Sequence, residues 1–159
     1  MVSEAILGRI TDPQFAGCQV DYVDIEWHET FKKLHKKVTH SGQPIGIRLG
    51  DDVLRNGLNA GDVLYREGNE IVAVCIPPCE VIVVEVDRGH ARMAAKVCYE
   101  IGNRHAPLFW GDHDFQFLTP YNAPMLSLLG KLHGVETRVE TRSFDLSRKI
   151  SAVVHSHTH

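Results

Sequence analysis

The chain has 159 residues, 43% of them hydrophobic and 23% charged, with Lys+Arg 17 against Asp+Glu 20 and a formal net charge of −3. This is enough apolar material to bury the core of one domain or two small ones, which excludes a disordered protein. The lack of a basic excess argues against a nucleic-acid binder, and the longest apolar runs, 71–78 and 81–84, fall far short of the roughly 18–20 residues of a membrane span.

Residues 1–10 show no basic stretch leading into a long apolar core, so cytoplasm is the expected compartment. There Cys18, Cys75, Cys79 and Cys98 are expected as reduced thiols. The first half reads as β-rich. A short apolar stretch at 5–10 closes at Asp12-Pro13, and 20–27 alternates imperfectly around Val23 and Ile25. Lys32, Lys33, Lys36 and Lys37 form a basic cluster, expected on a solvated helix or loop face. Ile45, Ile47 and Leu49 alternate cleanly after Ser41-Gly42-Gln43-Pro44, and the runs 63–65 and 70–76 flank the hairpin turn signal Glu67-Gly68-Asn69. The pattern suits a small β-barrel or sandwich.

The character changes at Pro77-Pro78. A β-branched run at 80–86 predicts a buried strand. Helical spacing follows over 88–101, with Ala91, Ala94, Val97, Cys98 and Ile101 on one stripe, and Gly102 as its stop. Short strands at 107–110 and 115–118 surround Gly111-Asp112. A second helix over 121–133 carries Met125, Leu128, Leu129 and Leu132, and Gly134 closes it. Residues 135–141 then alternate as a half-exposed strand. The expected class is therefore α+β, with three segments. Residues 1–76 form a β-barrel or sandwich-like domain, a possible peptide- or partner-binding module. Residues 77–142 form a ferredoxin-like β-α-β-β-α-β domain, and 143–159 form a mobile His-bearing tail.

Four groups of residues could carry chemistry. Three of the ten histidines, His155, His157 and His159, lie in the last five residues. In an extended chain they face one way and reach one borderline metal ion; the alternative is a neutral polar end. His105 follows Gly102-Asn103-Arg104 where a helix hands over to a strand. A histidine there is ordinarily a cap or surface residue, and it becomes a metal site only if a second subunit brings its own copy across a two-fold axis. Cys75 and Cys79 could begin a zinc site, but no second ligand pair lies at the expected offset, so burial as small apolar residues is the preferred reading. His113 between Asp112 and Asp114 invites acid–base chemistry, yet the segment also reads as a turn. With no nucleophile elbow or phosphate loop, an enzyme is not expected.

The run Lys96-Val97-Cys98-Tyr99-Glu100-Ile101-Gly102-Asn103-Arg104-His105 resembles the most characteristic segment of the urease accessory protein E (UreE) family, the nickel metallochaperones of urease. Leu58-Asn59-Ala60-Gly61-Asp62-Val63-Leu64-Tyr65 with Glu70-Ile71-Val72-Ala73-Val74, and the His-bearing end, resemble other parts of that family. The resemblance implies a partner-binding β domain and a ferredoxin-like metal-binding domain that makes a homodimer. It implies one nickel ion at the two-fold interface, held by His105 of each subunit, with His155, His157 and His159 supplying further ligands. The implied partners are apo-urease and the other accessory proteins, including the nickel-dependent GTPase. Three tail histidines are few beside the long polyhistidine ends of some relatives, which favours transfer over storage. Imidazoles alone do not select nickel, and zinc or copper(II) can compete. The rivals are a zinc or general divalent-metal buffer on the same scaffold, a hydrolase using His113 with Asp112 or Asp114, and a peptide-binding adaptor.

Overall fold

In the computed structural model, which describes residues 1–151, the chain divides into two units at Pro77/Pro78. The N-terminal unit contains two sheets. One joins Val2–Ser3 (β1), Leu34–Val38 (β4) and Pro44–Arg48 (β5) in the order β1-β5-β4. The other joins Gly8–Arg9 (β2), Gln19–Asp24 (β3), Asp62–Glu67 (β6) and Glu70–Cys75 (β7) in the order β2-β6-β7-β3. The alternation read from the sequence sends Ile45, Ile47 and Leu49 inward, and all three are buried.

Two expectations for this unit are corrected. No closed barrel forms. Among the described residues, the isolated bridge Val23–Thr39 is the sole β-bridge between the two sheets, and β1 and β2, at two residues each, are too short for the continuous seam that closure needs. The lysine cluster is split: Lys32 and Lys33 lie in the loop before β4, as expected, but Lys36 and Lys37 lie on a strand. Lys36 and Lys37 belong to β4, an edge strand of its sheet, where lysines discourage pairing with another chain. Lys37 pairs with Glu29 at 2.6 Å, and Lys33, just before β4, pairs with Asp51 at 2.6 Å. The lysine spacing misleads because His35, between them, turns inward and is buried. The short helix Val53–Asn56 (α1) completes the unit.

The second unit is built on Cys79–Val86 (β8), whose run of four consecutive fully buried residues, Val81 to Val84, marks a strand covered on both faces. The chain continues through Met93–Asn103 (α2), Leu108–Trp110 (β9), Gln116–Pro120 (β10), Ala123–Gly130 (α3) and Val135–Arg142 (β11). The sheet is antiparallel in the order β11-β8-β10-β9, with Lys149–Ser151 (β12) added beside β9. Ile82, Val84 and Val86, on one face of β8, share a core with Val97 and Ile101 of α2 and with Met125 and Leu129 of α3. Asn122 starts α3 by accepting the Met125 N–H at 3.0 Å, with Pro124 in the first turn.

Residues 143–151, expected as part of a mobile tail, are instead anchored. Phe144 and Leu146 are buried, Phe144 stacks on Phe109 with centroids 4.3 Å apart, and β12 extends the sheet. The 143–151 segment lacks periodicity because two anchors and a three-residue strand are too few to produce one. His155, His157 and His159 lie outside the described residues. Among the described residues no helix is long and apolar enough to cross a membrane.

Candidate metal centre

Helix α2 runs through Gly102 to Asn103, so Gly102 is not the stop that the sequence suggests. The left-handed backbone needed to end the helix falls three residues later. His105 has φ 55 and is the one non-glycine residue with positive φ among the described residues. Its N–H donates to the Gly102 carbonyl at 2.9 Å, and the Ala106 N–H donates to the Ile101 carbonyl at 3.2 Å. This pair of bonds is a Schellman motif with His105 at the position that usually holds glycine. Ile101 is buried and Ala106 packs against the same core, so the apolar contact that accompanies the motif is present. Arg104 reinforces the helix end, its Nη1 donating to the Glu100 carboxylate at 2.6 Å and to the Glu100 carbonyl at 3.1 Å.

A left-handed residue with a Cβ costs about 1–2 kcal/mol relative to the right-handed form. Here the strain is imposed by hydrogen bonds on both sides of His105, and strain of this kind clusters at functional sites. Its consequence is directional. The turn places His105, an exposed residue, at the end of a helix that Val97 and Ile101 lock into the core. The neighbouring outer face of α2 is open, with Ala95, Tyr99 and Gly102 all exposed at i, i+4 and i+7 spacing and Tyr99 at 65%.

The other sequence candidates separate. Cys75 ends β7 in the N-terminal unit, whereas Cys79 opens β8 in the second. Burial, with Asp24 alongside, pushes the Cys75 thiol above its ordinary range. Cys98 is pushed up by burial on the core side of α2. Both are therefore poor sources of thiolate. No disulfide forms among the four cysteines. His113 does not make a dyad with Asp112 or Asp114. Its Nε2 meets Glu85 at 2.9 Å, while Asp112 is drawn to Arg142 and Arg148 at 3.3 and 3.5 Å. Burial opposes ionisation of Glu85, but Gln116, His113 and Arg138 together hold its carboxyl below the ordinary range. A carboxylate so saturated with donors is a structural hub rather than a proton acceptor in waiting.

Comparison with known proteins matches both units. Residues 4–77 fit the family model for the N-terminal domain of UreE urease accessory protein, and residues 80–159 fit that for its C-terminal domain. The chain belongs to the UreE urease accessory protein family. It is 42% identical over 151 residues to the urease accessory protein UreE of Helicobacter pylori (strain G27), covering 95% of this chain and 86% of that protein. The UreE of Helicobacter acinonychis (strain Sheeba) gives the same identity and coverage. That of Acetivibrio thermocellus is 37% identical over 160 residues, covering all of both chains. UreE proteins are accessory proteins and not enzymes, in keeping with the absorption of His113 into an ion-pair network.

The described residues contain no group of three or more His, Cys, Asp or Glu side chains arranged to hold a metal ion. His105 belongs to no such group among the described residues. Sequence reasoning missed one pair of imidazoles in contact, His90 and His133, whose Nε2 atoms lie 3.0 Å apart. They are 43 residues apart in the chain, so no spacing rule connects them. The signal was indirect, in Gly134 beside His133 and Asp87 before the turn at His90.

Proposed function

We propose that this chain is a nickel metallochaperone that hands Ni²⁺ to apo-urease while the urease active site is assembled. The observation that carries the reading is His105, an exposed residue held in a left-handed Schellman turn. One imidazole per chain is too few, so the working species is a homodimer in which the two His105 side chains meet at the two-fold axis. The exposed Ala95, Tyr99 and Gly102 face of α2 supports this surface as the contact. His155, His157 and His159 supply the movable ligands. The C-terminal unit is read as ferredoxin-like, supported by the order β11-β8-β10-β9, in which the fourth, first, third and second strands of a β-α-β-β-α-β chain lie side by side. The work is done in the cytoplasm, with urease and its accessory proteins, the GTPase among them, as partners.

A fixed half-site and a movable half suit delivery. Imidazole ligands without thiolate hold nickel exchangeably, and protons compete with it as the pH falls through about 6.5, which eases release. Nickel is preferred through supply and partners, since zinc and copper(II) bind the same donors. Calorimetric nickel titration with mass determination in solution tests the proposal. Wild type should bind one tight Ni²⁺ per two chains as a dimer, and His105→Ala should lose that step. Tight binding that survives His105→Ala, or a nickel-bound monomer, overturns it. Loss of the tail histidines with full urease activation in limiting nickel would favour a metal buffer instead.

A further inference from the structure

We propose that His90 and His133 form a second metal site on each chain, a solvent-facing two-imidazole seat for a borderline divalent ion such as Ni²⁺, Zn²⁺ or Cu²⁺. It uses none of the residues assigned to the interface site and stands whether or not that reading holds.

The geometry comes first. The two Nε2 atoms are 3.0 Å apart, with ring planes at 86° and centroids at 4.5 Å. Two metal–nitrogen bonds of about 2.1 Å at a right angle span about 3.0 Å, and at a tetrahedral angle about 3.4 Å. The separation present without metal is thus that of neighbouring ligands in a square-planar or octahedral shell. An ion entering here replaces a hydrogen bond with little travel of either ring.

The proton arrangement favours the same use. His90 Nδ1 lies 3.2 Å from Asp87 Oδ2. The Gly89 N–H donates to Asp87 Oδ1 at 3.0 Å, and the carboxylate accepts the His90 Nδ1–H. His90 Nε2 is therefore left with its lone pair, and His133 donates to it. A carboxylate on the far nitrogen of an imidazole is the usual support of a metal-ligating histidine. On binding, the Nε2–H···Nε2 bond breaks, the His133 proton moves to its own Nδ1 through solvent, and both Nε2 lone pairs go to the ion.

The seat is built into the backbone. Val86 pairs with Val135 across β8 and β11, and the Asp87 N–H donates to the Gly134 carbonyl at 2.9 Å. Those two links fix the separation of the segments bearing the rings. Gly134 has φ 71, and a Cβ there would fall 2.6 Å from His90 Cγ. The absent side chain is what lets the His90 ring lie against the turn. His133 is exposed and His90 half-exposed, so water fills the remaining coordination positions. With two protein donors the ion is held exchangeably, as a relay or capture point rather than as a structural centre.

The experiment is a calorimetric Zn²⁺ titration of the full chain as wild type, as the His90→Gln/His133→Gln double variant and as Asp87→Asn. Thermal melts confirm that each is folded. Wild type should take one more Zn²⁺ per chain than the double variant. Asp87→Asn should keep that ion with affinity lowered about 10–100-fold. The step should persist in His105→Ala, which separates it from the interface site. In proton–nitrogen spectra the His90 and His133 ring signals should move as Zn²⁺ is added. Equal Zn²⁺ counts and affinities in wild type and the double variant, or ring signals unmoved at saturating Zn²⁺, would overturn the proposal and leave the pair as a surface hydrogen bond.

Discussion

Replacing His105 by glycine and by alanine distinguishes a strained turn from an ordinary helix end. Both variants lose the imidazole, so they differ only in backbone preference. In a helix interior alanine is more stable than glycine by about 1 kcal/mol. At φ 55 the order should invert. The left-handed backbone costs a residue with a Cβ about 1–2 kcal/mol, and glycine's greater freedom in the unfolded chain returns about 0.4–1 kcal/mol of that difference. The glycine variant should therefore be more stable than the alanine variant by about 0.5–1 kcal/mol. For a unit of this size that is roughly 2–8 °C in Tm. Thermal melts of the metal-free proteins, with amide exchange of β10 reporting on the second unit, measure the difference. Nickel titration of the same samples should show both variants equally deficient. If alanine matches or exceeds glycine in stability, His105 does not occupy a left-handed turn, and the account of how its imidazole is aimed fails. If glycine is the more stable, the chain keeps a less stable residue where glycine would serve the fold, which is the expected mark of a functional histidine.

Removing the cap of α3 by Asn122→Ala should cost about 1 kcal/mol, and Asn122→Asp should restore most of it; urea midpoints decide. Leu129→Ala, at a fully buried position in the core between α3 and the sheet, should cost about 2–5 kcal/mol by the same assay. Gly134→Ala should destabilise by more than about 1 kcal/mol, because φ is 71 and the new Cβ meets the His90 ring; little or no effect would mean that the turn is relaxed. Burial holds the His35 pKa below its ordinary 6.5, so the folded state stays neutral while the unfolded chain takes up a proton. Stability should be full above about pH 6.5 and fall as the pH drops below it, and His35→Gln should flatten that slope in unfolding curves taken between about pH 7.5 and 5.5.

Much was legible in the residue order because it is local. Alternation placed Ile45, Ile47 and Leu49 inward, β-branched density marked β8 as buried, and helical spacing found the apolar stripes of α2 and α3. The division at Pro77/Pro78 also followed from local composition, and the run ending in His105 carried the family resemblance. Each of these signals is short-range, since period and turn chemistry act within a few residues.

What the sequence could not determine depends on which distant segments meet. The parallel pairing of β3 with β7, residue Gln19 against Glu70, follows from no hairpin rule, because parallel neighbours are joined by long connections. The anchoring of Phe144 on Phe109 had no periodic signal. The stop of α2 was misplaced for a different reason. Gly102 can take positive φ, but the Ile101 and Ala106 contact with the core sets where the Schellman turn closes, and that put the left-handed residue at His105. His113 was drawn away from its neighbours in sequence by Glu85 on an adjacent strand, and His90 met His133 only because β8 and β11 pair in one register. Sequence determines what each segment can become; long-range packing decides which side chains share a site, because loop closure and strand register are settled between segments rather than within them.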